Sequence, residues 1–364
     1  MPDSVAFSFH FSMIVFHQHY VEDSSLSEVS YDRNSRGEWR PSKPIMLAPI
    51  NNWPIKFPTM SKWFFGFPGF LWPYNAFWMG ITLLTWCYLT PDLSTMATFE
   101  LWWVGLIFAR NLALITLLFG GLHLYLYVFQ RQGNDHRFTT RPFATGSKKF
   151  LFKNQVRDNM IRTLASAVPI ITGYEVFTYW AFANGYLGLF DPGSSQVVFW
   201  SWFVFLILLA PAIHAVHFYL GHRLLHVKFL YNRFHALHHR NVEVGPWSGL
   251  AMHPVEHLIY LSTLMVQWLI AAHPVNALFQ LQLAAFYPAL SHSGFDKLMI
   301  GKKLGIDGGN HFHYLHHKHF ECNYGGSLAP LDKWFGTFHD GSKEADVKMR
   351  ERIKARRDEL RQRV

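Results

Sequence analysis

Cysteine is nearly absent. Only Cys87 and Cys322 occur, one inside an apolar run and one beside a histidine cluster, so neither a disulfide framework nor a cysteine-ligated zinc site is available. Charge is scarce as well: 16% of the residues are charged, against about a quarter in soluble globular proteins, while 50% are hydrophobic and 17% aromatic. That balance places the chain with membrane proteins. The formal net charge of +9 does not point to nucleic acid, because the basic residues lie between apolar runs or in the C-terminal tail, as membrane-flanking charge does. No HExxH and no internal repeat of fixed period occurs. In the apolar opening stretch, 1–20, no Lys or Arg precedes the run and no small-residue cleavage site follows it, so no secretory signal peptide is expected.

Long apolar runs and histidines are what the sequence has in excess. Apolar segments at roughly 71–90, 99–129, 160–182 and 197–220 each approach or exceed the ~20 residues a membrane-spanning helix needs. Arg110 and Asn111 fall in the middle of the second, and a charge at that depth is expected to face the bundle interior. Two shorter stretches, 257–272 and 274–291, are joined through His273 and Pro274 without a hydrophilic loop. The first reaches only ~24 Å, so a re-entrant helical hairpin is expected rather than two spans. The loop 130–157 carries Arg131, Arg137, Arg141, Lys148, Lys149 and Lys153, whereas the connectors 91–98 and 183–196 have no Lys or Arg. Positive charge then places the loop, and with it every histidine cluster, in the cytosol.

The expected fold is all-α and integral to a membrane, with about four spans, the re-entrant hairpin and a cytosolic histidine-rich cap. The expected divisions are a polar to interfacial segment at 1–68, a transmembrane region at 69–212, a catalytic domain at 213–341 and a charged tail at 342–364. Residues 21–68 are expected to be poorly structured, with Trp53, Phe57, Trp63, Phe64 and Phe65 at the membrane interface. The tail reads as a solvated helix.

Of the 22 histidines, many are clustered. His222 and His226 are four apart; His235, His238 and His239 stand at i, i+3 and i+4, as do His313, His316 and His317. On a helix such spacings carry the imidazoles to one face, as a metal centre requires. Imidazole suits Zn, Cu, Fe and Ni, and eight nitrogen ligands are too many for one ion, so two metals are the economical reading.

HRLLH, FHALHH and HYLHH, together with AMHPVEH, SHSGFD and the NYG of 323–325, resemble the sterol desaturase and fatty acid hydroxylase superfamily over roughly residues 200–340. The resemblance implies a membrane oxygenase that hydroxylates or desaturates a lipid C–H bond. It implies two iron ions, which zinc can replace in purified protein, and O2 as co-substrate. A separate electron donor, cytochrome b5-like or ferredoxin-like with its reductase, follows as partner, since no cytochrome b5-like HPGG segment occurs. Endoplasmic reticulum or bacterial inner membrane would house it. The implied ligands are His222, His226, His235, His238, His239, His313, His316 and His317, with His292 of SHSGFD as a further one. Where some members have a histidine four residues beyond His292, this sequence has Asp296. Asp296, His253, a water or no tenth ligand at all is left open.

Glu256 is expected to hydrogen-bond a ligand imidazole, because metal-bound histidines usually donate their other N–H to a carboxylate or carbonyl. His214 and His217 are expected near the centre or the interface, His257 in a structural role, His311 pointing away, and His319 and His339 on the surface. An apolar substrate is expected to enter near Trp200, Trp202 and the hairpin. Two other function classes compete: a zinc-dependent membrane hydrolase and a metal transporter or sensor. Three-ligand catalytic zinc sites leave the histidine excess unexplained, and transport sites lie at mid-bilayer rather than beyond the spans.

Overall fold

Apolar length becomes helix in this protein, as backbone groups without access to water require. The computed structural model describes residues 33–362 apart from 192, 194, 302, 303 and 309; the stretch 1–20, on which the signal-peptide expectation rests, lies outside them. The described elements are α1 (Phe57–Phe65), α2 (Ala76–Leu89), α3 (Leu101–Val128), α4 (Gln155–Arg162), α5 (Val168–Ala183), α6 (Gln196–Leu225), α7 (Lys228–Arg233), α8 (Pro254–Leu261), α9 (Pro274–Ser291), α10 (Asn310–His319), α11 (Leu331–Trp334) and α12 (Lys343–Gln362). A single antiparallel hairpin, β1 (Lys297–Ile300) with β2 (Leu304–Asp307), interrupts them, which the all-α expectation did not include.

Among the described residues two helices, α3 and α6, are long and apolar enough to cross a membrane, and both leave most of that apolar surface outside the protein. The other two expected spans differ. α2 has 14 residues, or ~21 Å, less than a full hydrocarbon core. α4 and α5 join through a π turn at Thr163–Ala167 into one continuous helix. Arg110 of α3 does face inward: it pairs with Glu175 of α5, and Asn111 Nδ2 donates to the other Glu175 oxygen at 2.9 Å and to Thr172 Oγ1 at 3.3 Å.

Residues 254–291 form a helical hairpin. Its first arm is α8 continued by a 3-10 turn, Ser262–Leu269; its second is α9, capped by His273, whose Nδ1 accepts from Val275 N at 3.2 Å. α9 is the central helix. Every residue but Tyr287 is buried, with α2, α3, α5 and α6 packed around it. Gly249 lets the 3-10 turn Pro246–Leu250 lie directly on α9, since a Cβ there would sit 2.3 Å from Pro288 O.

Two expectations about the ends are corrected. Residues 33–55 are ordered by backbone pairing to the cap: Trp39 N donates to Phe138 O, Ile45 N to Asp340 O and Ala48 N to Ser327 O. The tail does form a helix, α12, but its first turns are docked, with Met349 buried and Asp346 paired to Arg40 at 2.7 Å. His339 is buried rather than on the surface, and its ring stacks on His319 at 5.1 Å; both face Asp346 Oδ1, at 3.3 and 3.5 Å. His339 Nδ1 accepts from Gly341 N, so its proton resides on Nε2 toward Asp346, which makes this trio an internal polar contact.

Candidate metal centre

The nine histidines come from four separate places and meet in one buried volume. α6 ends in His222 and His226; the 3-10 turn His235–Arg240 supplies His235, His238 and His239; α9 ends at His292; α10 supplies His313, His316 and His317. Their ligand atoms form two groups: His222, His226, His235, His239 and His316, and His238, His292, His313 and His317, each within 4.8 Å. The clusters are therefore divided. His238 leaves its neighbours for the second group, and His316 leaves His313 and His317 for the first.

All facing atoms are Nε2. In the first group His222 and His226 each stand 3.1 Å from His235, and His316 stands 3.2 Å from His226 and 3.1 Å from His239. In the second, His292 stands 3.3, 2.9 and 3.2 Å from His238, His313 and His317. Four of the outer nitrogens face acceptors. His222 Nδ1 donates to Tyr324 O at 2.7 Å, His316 Nδ1 to Cys322 O at 2.6 Å, His292 Nδ1 to Pro288 O at 3.1 Å and His235 Nδ1 to Glu256 Oε1 at 2.7 Å. Those donations fix the tautomer. His222 and His235 thus turn two lone pairs toward each other at 3.1 Å, a repulsive arrangement unless a cation lies between them. Nitrogens ~2.1 Å from a shared ion and at right angles stand ~3.0 Å apart, so the donor set fits a metal in each group.

Electrostatics agree with that fit. Burial, reinforced by neighbouring imidazoles, holds His238, His239, His313, His316 and His317 well below the ordinary histidine range, so they are neutral donors. Burial also raises the Glu256 carboxyl well above its usual range. A cation on His235 Nε2 would restore that carboxylate, since His235 then donates Nδ1–H to a full negative charge. Glu256→Gln is expected to cost about 10 to 100-fold in metal affinity or activity, with the chain still folded. Metal titration of the purified variant measures it, and unchanged affinity would remove Glu256 from the site.

Motif residues outside the groups have readable roles. His253 caps α8, its Nδ1 accepting from Val255 N at 3.2 Å, and its ring rests on Phe234. His257 is satisfied by Ser166 Oγ and Leu250 O, each at 3.0 Å, as its structural reading requires. His217 Nε2 meets Ser262 Oγ at 2.9 Å, and His311 turns to stack on Phe138. The NYG segment places a carbonyl: Asp332 accepts from Tyr324 N and Gly325 N, which aims Tyr324 O at His222. Gly294 adopts φ +82°, and a Cβ there would strike Tyr127 Oη.

Neither Asp296 nor His253 stands in either group. Asp296 begins the β hairpin, where burial and then Asp307 push its carboxyl up to about 7. A raised acid favours the folded state below its unfolded value near 4, and that contribution is lost as pH rises toward 7. Asp296→Asn is expected to keep both metals and to flatten the decline in melting temperature between about pH 4 and pH 7. Loss of an ion would return the carboxylate to the ligand shell.

A cavity of about 300 Å³ opens onto the histidines from the membrane-helix side, lined by His222, His235, His238, His292 and His313 at its floor. Its walls include Trp63, Phe70, Tyr74, Trp78, Met252 and Tyr260. Trp200 and Trp202 are absent from that lining. They sit at the opposite end of α6, some 20 residues or ~30 Å from His222, and the aromatic segment 63–78 walls the cavity instead. Three polar atoms on this wall, Tyr74 Oη, Trp78 Nε1 and His214 Nδ1, are buried and have no protein partner.

Residues 196–337 match the fatty acid hydroxylase family. Over that part of its length the chain is similar to the sterol desaturase and fatty acid hydroxylase superfamily. Within it, the chain is 26% identical over 227 residues to a Delta(7)-sterol 5(6)-desaturase of Gibberella zeae, covering 61% of this chain and 64% of the relative. It is 29% identical over 234 residues to one of Aspergillus fumigatus, covering 58% and 68%. A fatty acid hydroxylase domain-containing protein 2 of Macaca fascicularis is 29% identical over 150 residues, 40% of this chain and 42% of the relative. The first and third matches thus take in less than two thirds of those relatives. No solved structure matches the chain.

Proposed function

We propose that this chain is a membrane oxygenase with two iron ions held by nine histidines, which uses O2 and external electrons to hydroxylate or desaturate a lipid C–H bond. The observation that carries the proposal is the pair of Nε2 groups with their outward Nδ1–H donors, at the floor of a cavity walled by apolar side chains. Iron in the two groups would supply O2 activation. Membrane crossing by α3 and α6, the re-entrant placement of the hairpin and the cytosolic cap belong to the same proposal, supported by the apolar surfaces of α3 and α6 and by the basic loop 130–157. The nine histidines are taken as the complete protein ligand set.

The chain's own residues do the remaining work. Tyr324 O, Cys322 O, Pro288 O and Glu256 keep the imidazoles oriented. Trp63, Phe70, Trp78 and Met252 exclude water from the cavity floor, which confines the reaction to a substrate carbon held there. Iron-reconstituted protein is expected to hold one ion per group, and lipid extracts of cells with and without the gene should differ by one added oxygen atom or by two lost hydrogens. Neither mass change, in cells shown to hold the iron-loaded protein, would overturn the assignment.

A further inference from the structure

Resting on the oxygenase reading, we infer that an acidic one-electron carrier protein docks on the basic depression bounded by Lys149, Arg233 and Arg240 and delivers electrons through the Phe320–His239 contact. Both candidate reactions need such a carrier. Hydroxylation balances as RH + O2 + 2 e⁻ + 2 H⁺ → ROH + H2O. Desaturation consumes the same two electrons and two protons and releases two waters. The cavity side is committed to substrate, so electrons require another approach.

The structure offers one. A shallow depression on a different surface reaches His239 directly, and Lys149, Arg233 and Arg240 line it with Tyr231 and Phe320, while no Asp or Glu does. The adjoining stretch 148–162 adds Lys148, Lys153, Arg157 and Arg162 against one acid, Asp158, which is already held by Arg162 Nε at 3.1 Å. Arg240 is fixed by its Nε–H donation to Leu237 O at 3.2 Å and by a second bond to Lys149 O, so this charge is preorganised. Phe320 spans the short distance inward: it is half-buried, and its ring centroid lies 4.9 Å from that of His239. Its φ of +67° is a left-handed conformation that a non-glycine residue adopts only where the surroundings impose it. A positive rim around an aromatic bridge to a metal-binding imidazole fits a negatively charged redox protein through charge complementarity.

The test uses iron-loaded full-length protein in detergent, with prereduced soluble cytochrome b5 as the probe and dithionite as a reductant that needs no docking. The double variant Lys149→Glu/Arg233→Glu is expected to oxidise cytochrome b5 at least about tenfold more slowly than wild type. Wild type should lose rate steeply between about 50 and about 300 mM salt, and the variant should not. Reduction by dithionite should be unchanged in both, and Lys348→Glu, an exposed reversal on α12, should behave as wild type. Equal cytochrome b5 rates in wild type and double variant would overturn the proposal. So would a wild type reduced by dithionite but by neither cytochrome b5 nor a plant-type ferredoxin. Failure of dithionite to reduce any bound metal would instead count against the oxygenase reading itself.

Discussion

Replacing His316 by alanine is expected to abolish turnover and to release the metal of the first group while the chain still inserts in the membrane. His316 is fully buried, and its Nε2 stands 3.1 to 3.2 Å from those of His239 and His226, while Cys322 O holds its Nδ1. Alanine removes one nitrogen donor and leaves a hole that water can enter. Loss of a ligand exceeds the 10 to 100-fold that loss of a supporting hydrogen bond costs, so the effect should be larger than for Glu256→Gln. His238→Ala should act in the same way on the second group. His253→Ala, outside both groups, should keep both ions. Elemental analysis beside turnover on each purified variant decides it, and a His316→Ala protein with both metals and full activity would refute the two-group assignment.

Glu175→Ala is expected to prevent recovery of folded protein, through stability rather than chemistry. The carboxylate is the anionic partner of Arg110 in the apolar part of the bundle, and both side chains are 3% or less exposed. Removing one member of a buried pair strands the other and costs about 3 to 5 kcal/mol, a large share of a typical folding free energy. Replacing both, as Arg110→Met with Glu175→Met, should restore much of that loss, because no unpaired charge then remains. Thermal unfolding followed by size-exclusion chromatography in detergent measures the difference. A Glu175→Ala protein that melts like wild type would show that Arg110 finds water or another acceptor.

How the site was legible in the sequence differs from residue to residue. His222 and His226 were visible as a pair because four residues along a regular helix return a side chain to the same face, and α6 remains helical to Leu225. His235, His238 and His239 were visible as ligands but not as members of different groups. They lie on a 3-10 turn, and His235 and His238, eclipsed there with rings 5.5 Å apart, aim at different centres. Arg110 announced a partner inside the bundle by its depth, yet nothing local named Glu175, 65 residues away. Tyr74 and Trp78 carry no local signal in the sequence, because an unsatisfied atom is a property of the surroundings.

The sequence by itself determined the inventory: apolar runs that must be helical, eight imidazoles at helical spacings, a carboxylate at Glu256 and a basic loop between apolar segments. These follow from side-chain chemistry and from helical periods that act over four residues or fewer. Tertiary structure alone decided the division into five and four, the exclusion of Asp296 and His253, the pairing of Arg110 with Glu175 and the aromatic wall of the cavity. Periodicity sets the side of a helix from which a group leaves, whereas the group it meets depends on which distant element packs there. Here that element is α9, whose burial on nearly every side brings His292 from the end of the central helix into the second group.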